Sequence, residues 1–102
     1  MARLRFSNRA EADLLSIGDY TIQTWGESQA ARYLDDLEAW CRMLAGNPAL
    51  GRSCDHIRPG LRRMEIGRHV VLYREDPAGI VISRILHQRM LPERYVTEED
   101  VP

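Results

Sequence analysis

Apolar residues along this chain change period near residue 60. Up to Ala45 they recur every three or four positions; from Leu61 to His87 they alternate or run together. The later stretch, LRRMEIGRHVVLYREDPAGIVISRILH, predicts three consecutive antiparallel strands over 62–66, 69–75 and 80–87. Gly67-Arg68 falls between two of them as a two-residue hairpin loop, with the glycine free to take positive φ. Asp76-Pro77-Ala78-Gly79 carries proline and glycine in the order a tight turn uses them. The middle strand has apolar residues of both parities, as a strand central in its sheet or covered on both faces does.

The earlier stretch predicts one short strand and two helices. Arg3-Leu4-Arg5-Phe6 alternates and reads as an edge strand. Ser7 or Asn8 caps a helix that runs to about Trp25, with Glu11 at capping-box spacing from Asn8. Leu14, Ile17, Gly18, Thr21, Ile22 and Trp25 form its apolar stripe, and Glu11 and Asp13 sit where the helix dipole favours anions. Gly26 follows as the C-terminal glycine. Ser28 opens a second helix to about Ala45, with Ala30, Tyr33, Leu34, Leu37, Trp40, Cys41 and Leu44 on a wide stripe and Gly46-Asn47-Pro48 as the stop. So tight a connection makes an antiparallel αα-hairpin. Residues 47–60 read as a loop long enough to carry a function or to dock on the body. After His87 come a short helical turn around Pro92 and an acidic tail, Thr97 to Pro102, expected to fray.

The order β-α-α-β-β-β over 102 residues predicts one two-layer α+β domain. The αα-hairpin packs on one face of a small antiparallel sheet, and the first strand joins the meander's edge. The other face and the sheet edge are left for function.

Composition narrows the class. An apolar fraction of 44% allows a single small core. No apolar run approaches the roughly 18–20 residues of a membrane span, and Met1 to Phe6 turns polar at once, unlike a signal peptide. The expectation is a cytoplasmic protein, with Cys41 and Cys54 as reduced thiols and no membrane partner. All 14 basic residues are arginine, and they are segregated. Residues 1–51 hold five Arg and seven acids, whereas residues 52–94 hold nine Arg and five acids, net +4. A basic sheet half suits an acidic partner. A total charge of −1 argues against gripping nucleic acid through many phosphates.

Candidate chemistry is sparse. Cys54-Asp55-His56 is the tightest set of potential metal ligands, but no matching pair follows, so no metal or cofactor is expected. His69 and His87 read as structural histidines, Ser53-Cys54 lacks a nucleophile's setting, and no glycine loop suits a phosphate. No catalytic residue is assigned. Arg84 interrupts an otherwise apolar strand, so its charge is either paired in the interior or turned to a site. Strand parity groups it with Ile82 and Leu86, and His87 with Ser83 and Ile85 on the opposite face.

Gly67-Arg68-His69-Val70-Val71-Leu72-Tyr73-Arg74 and Ile82-Ser83-Arg84-Ile85-Leu86-His87-Gln88-Arg89, preceded by a short strand and an αα-hairpin, resemble the ParE toxins of the RelE/ParE superfamily. The helix start Ser7-Asn8-Arg9-Ala10-Glu11-Ala12-Asp13-Leu14 and Trp25-Gly26 resemble them too, so the likeness spans roughly residues 4–95. The resemblance implies a toxin of a type II toxin–antitoxin system that inhibits DNA gyrase and is neutralised by a ParD-like ribbon-helix-helix antitoxin. It implies a protein-binding inhibitor without sequence-specific nucleic-acid binding of its own. Two alternatives stay open: a RelE-type ribosome-dependent mRNA endonuclease, and a non-toxic relative that only binds antitoxin. On the gyrase reading, Arg58, Arg84, His87 and Arg89 are the candidate target contacts at the basic end of the sheet. For the antitoxin, the candidates are Leu15, Tyr20, Tyr33, Leu37 and Trp40 along a groove between the helices, with Arg74 meeting its acidic residues.

Overall fold

The computed structural model describes residues 3–96. Strand β1 (Arg3–Phe6) leads into α1 (Asn8–Trp25) and α2 (Glu27–Gly46). A 3-10 turn (Pro48–Leu50) and β2 (Arg52–Ser53) follow, then β3 (Arg62–Ile66), β4 (His69–Asp76), β5 (Gly79–His87) and α3 (Pro92–Tyr95). The strands form one sheet in the order β1-β5-β4-β3-β2. The expected frayed tail, Thr97 to Pro102, lies outside the described residues.

The α+β architecture with its helix pair and meander is as expected, but the sheet is mixed rather than wholly antiparallel. β1 joins β5 in parallel, with Arg3 opposite Gly79 and Phe6 opposite Ile82. The cause is β2, which lies in the stretch read as loop. Each helix reverses the chain, and β2, antiparallel to β3, adds one further reversal. β5 therefore runs the same way as β1.

Local chemistry accounts for the helix ends. The Ser7 hydroxyl accepts the Ala10 N–H at 3.0 Å, so Ser7 is the cap and Asn8 the first helical residue. Gly26, at φ +90°, is the single residue between the helices, and α2 opens at Glu27, one residue ahead of Ser28.

Two apolar layers sandwich the meander. On the helix side, Ala10, Ile17, Leu37, Cys41 and Leu44 pack against Val71, Tyr73, Ile80, Ile82 and Ile85. On the far side, Cys54, Leu61 and Val96 cover Val70, Leu72 and Leu86. Coverage of both faces is why β4 and β5 carry apolar residues of both parities. A bulge corrects the parity expected for Arg84. Leu72 lies opposite Arg84 but Tyr73 lies opposite Ile82, which leaves Ser83 as the extra residue. Arg84 thus shares a face with Leu72 and Leu86, while Ile82 stays under the helices.

The apolar stripe of α1 runs past the sheet. Ile22 and Trp25 lie on that stripe, yet both are exposed, Trp25 by 53%. Its ring lies beside the β3–β4 turn, with the Arg68 guanidinium 5.2 Å above it.

That turn depends on Gly67, whose φ is +58° and whose added Cβ would come within 2.8 Å of the Tyr33 hydroxyl oxygen. Gly67→Ala should lower stability by about 2–3 kcal/mol, through left-handed strain and displacement of Tyr33. Urea unfolding of wild type and variant measures it.

Candidate functional site

Three concave surfaces bring side chains of distinct chemistry together. The first closes the turn end of the αα-hairpin and encloses about 190 Å³. α1 supplies Tyr20, Thr21 and Trp25, α2 supplies Gln29 and Tyr33, and the β3–β4 turn supplies Arg68. His69, at the start of β4, and His87, at the end of β5, complete it because the strand register sets them opposite each other. Their rings meet edge-on at 5.7 Å.

A hydrogen-bond relay fixes this cleft. The Arg68 N–H donates to the Tyr33 hydroxyl at 3.0 Å. The Tyr33 hydroxyl in turn is hydrogen-bonded to His69 Nδ1 at 2.6 Å. Burial, then the neighbouring His87 and Arg68, pushes His69 from 6.5 down to about 4, against a weaker upward pull from Asp13. It is neutral at physiological pH. His87 Nδ1 accepts the N–H of Arg89 at 3.2 Å.

The lowered His69 value makes stability depend on pH with a definite sign. Above pH 6.5 the ring is neutral in both folded and unfolded chains, and its contribution is complete. Below that, the unfolded chain takes up a proton the folded chain refuses, so stability falls until about pH 4. We expect a loss of about 1–2 kcal/mol across that window, allowing for the solvent that still reaches the ring. Urea titrations at several pH values should give this slope, and His69→Gln should flatten it.

The second surface is a groove of about 460 Å³ between the helices near β1. Leu14, Leu15, Leu34 and Leu37 give it apolar walls, and Glu11 and Glu38 lie at it with no arginine in the lining. Leu15 is 73% exposed at its margin, whereas Leu37, at 1%, belongs to the core beneath.

The third surface lies against β4, between Arg74 and the loop of residues 53–61, and encloses about 540 Å³. Arg62 and Glu75 line it with Ser53, Asp55 and Gly60.

The structure thus divides the residues grouped in sequence. The single hairpin groove becomes two clefts, with Leu15 and Leu37 in one and Tyr20 and Tyr33 in the other. Trp40 is exposed on α2, and Arg74 is on the third surface. Of the candidate target contacts, His87 joins the Tyr33 cleft and Arg89 is exposed just beyond it in sequence. Arg58 is half-buried in the loop, donating to the Ile57 carbonyl.

Arg84 resolves to an interior pair. Its Nε and Nη2 donate to the two Asp13 carboxylate oxygens at 2.9 and 3.0 Å, and its Nη1 to the Tyr95 carbonyl at 2.9 Å. Beyond the end of β1, Ser7 meets the exposed edge of β5 through Ile82 and Ser83. Asp13 then accepts the Ile85 N–H at 2.9 Å. Asp13 had read only as a helix-dipole acid, because nothing local to α1 reveals its reach to β5. Trp25, Gln29, Arg68 and His69 were missed as cleft residues, because only the bulge at Ser83 brings His69 opposite His87; the uninterrupted hairpin register would set it opposite Leu86.

A sequence model of the family described as "ParE toxin of type II toxin-antitoxin system, parDE" matches residues 4–92. Toxin ParE1 of Mycobacterium tuberculosis is 42% identical to the chain over 94 residues, covering 91% of this chain and 96% of that protein. Toxin ParE1 of Caulobacter vibrioides is 43% identical over 90 residues, covering 88% and 93%. A solved structure described as the chromosomal ParDE TA system from P. aeruginosa matches with a TM-score of 0.72 at 25% identity, over 85% of this chain and 96% of that one.

Proposed function

The chain belongs to the ParE toxin family of type II toxin–antitoxin systems, and on that premise we propose that it inhibits DNA gyrase in the cytoplasm and is neutralised by a ParD-like ribbon-helix-helix antitoxin. The observation that carries the antitoxin reading is apolar surface left open on the αα-hairpin. Leu15, Tyr20, Trp25, Trp40 and Met43 are all exposed on two helices of a small domain. A partner helix with an apolar face covers such surface. Tyr33 lies at the base of one cleft, Leu37 floors the other, and the exposed aromatics are the anchors.

Inhibition of gyrase is read as protein binding, with no catalytic residue, cofactor or metal assigned. The basic residues after β5 and in the 54–60 loop are the proposed target surface: Arg58 and Arg89, with His87 alongside. Arg84 supports that surface from within by tying β5 to α1 and to the Tyr95 carbonyl.

A supercoiling assay with purified gyrase tests this. The chain should block supercoiling, an equimolar antitoxin should restore it, and Arg58→Ala with Arg89→Ala should weaken the block about tenfold while the fold persists. Unimpaired supercoiling at excess toxin overturns the reading. Codon-specific cuts in translated mRNA would place the protein with the RelE-type nucleases instead.

A further inference from the structure

On the sheet face away from the helices, β4 carries an arginine whose donors go unanswered. Arg74 stands opposite Val81. Its Nε is shielded from solvent without a hydrogen-bond acceptor, and among the described residues its guanidinium makes no ion pair. A buried donor in that state weakens a fold, and most proteins avoid it. The other polar groups of the cavity that Arg74 lines include two already engaged. Arg62 donates to the Gly51 carbonyl at 2.8 Å, and Asp55 accepts the Gly60 N–H at 2.8 Å. Arg74 therefore faces about 540 Å³ of open space with a planar fork of donors to offer. Such a fork matches a carboxylate end-on, through its two terminal nitrogens, with the shielded Nε behind them.

We infer that this cavity receives a carboxylate from an acidic stretch of the antitoxin, gripped by Arg74. The inference rests on the antitoxin reading above and adds the chemistry of one contact to it. A peptide carboxylate suits the cavity better than a nucleic-acid phosphate. Asp55 and Glu75 also line it, which leaves room for one anionic group at Arg74 but not for the evenly spaced charges of a run of phosphates. One carboxylate on a flexible segment needs only this one pocket. Leaving Arg74 unpaired in the free toxin reserves its full hydrogen-bonding capacity for the partner.

Two measurements test it. In the first, the Arg74 Nε–Hε signal of the nitrogen-15-labelled protein is followed by NMR. Glutarate should shift it, whereas the neutral isostere glutaramide and a short DNA duplex should not. Arg74→Lys, which keeps the charge but loses the fork, should remove the glutarate-induced shifts of the backbone amides that line the cavity, such as those of Gly60 and Glu75. No shift with glutarate sinks the site, even where the antitoxin binds normally. A response to the duplex but not to glutarate overturns the proposal in favour of nucleic acid. In the second, Arg74→Met should raise the melting temperature by about 4 °C or more, because it removes an unanswered donor. The same variant should weaken binding of the ParD-like product of the adjacent gene by about tenfold or more. A lower melting temperature with unchanged antitoxin affinity shows a merely structural arginine and overturns the proposal. Wild type that fails to bind the antitoxin at all overturns the underlying reading, and with it the assigned source of the carboxylate.

Discussion

Asp13→Ala should lower the unfolding free energy by about 3–5 kcal/mol, the range expected when one member of a buried pair is removed. The side chains of Arg84 and Asp13 are only 11% and 15% exposed. Removing the carboxylate strands two guanidinium donors and the Ile85 N–H on a strand edge that β1 no longer covers. For a domain whose total stability is of the order of 5–15 kcal/mol, the variant sits near the threshold of folding. Asp13→Asn keeps an oxygen for two of the three donors, Arg84 Nε and the Ile85 N–H, but sets an NH2 against Arg84 Nη2 and loses the charge, and should lose about 2 kcal/mol. Asp13→Leu combined with Arg84→Met removes both charges, and should return to within about 1 kcal/mol of wild type. Salt separates this pair from a surface one. The Arg42–Glu38 contact on α2 joins two largely exposed side chains and is worth about 0.5 kcal/mol or less, screened further by salt. The Asp13 effect should survive about 1 M NaCl almost unchanged. If denaturant unfolding gives less than about 1 kcal/mol for Asp13→Ala, the pair is solvated and Arg84 is available to a partner.

The same pair shows where sequence reasoning stops. Turn chemistry at Gly67-Arg68 and at Asp76 to Gly79 placed the meander, because those residues select their own backbone geometry. Helix period and the break around Gly26 placed the αα-hairpin for the same local reason. The direction of β1 was not legible, because it turns on β2, two residues whose pairing with Arg62 and Arg63 is tertiary. The bulge at Ser83 was not legible either. It moves Arg84 to the other face, and only the register of β4 against β5 reveals it. The site was partly readable. Tyr20 and Tyr33 were singled out for the antitoxin and His87 for the target, and the structure sets all three in one cleft. Trp25 belongs to a genuine helical stripe, but period alone does not show that this end of it stays exposed. Leu37 shows the converse. A stripe position cannot tell floor from margin, and burial settles that here.

Trp25→Ala should weaken antitoxin binding by about 30-fold, or roughly 2 kcal/mol, as truncation of an aromatic anchor does. Leu15→Ala should weaken it about fivefold to tenfold, in line with the smaller apolar surface lost. Both residues are exposed in the free chain, so neither change should cost more than about 1 kcal/mol of stability. Failure to fold then does not cloud the measurement. Ten residues of α1 separate them, a rise of about 15 Å, or roughly three turns of a facing helix. Leu15 lines the groove near β1 and Trp25 the cleft at the hairpin turn. A single partner helix that lies along α1 reaches both, and at that separation the two losses should multiply in the double variant. The product, about 150-fold to 300-fold, is the signature of one helix bridging both clefts. Titration by calorimetry or fluorescence reads it directly. A double variant no weaker than Trp25→Ala confines the antitoxin helix to the Trp25, Tyr20 and Tyr33 cleft. One no weaker than Leu15→Ala moves it to the leucine groove, where Glu11 and Glu38 favour a partner with basic residues beside its apolar face.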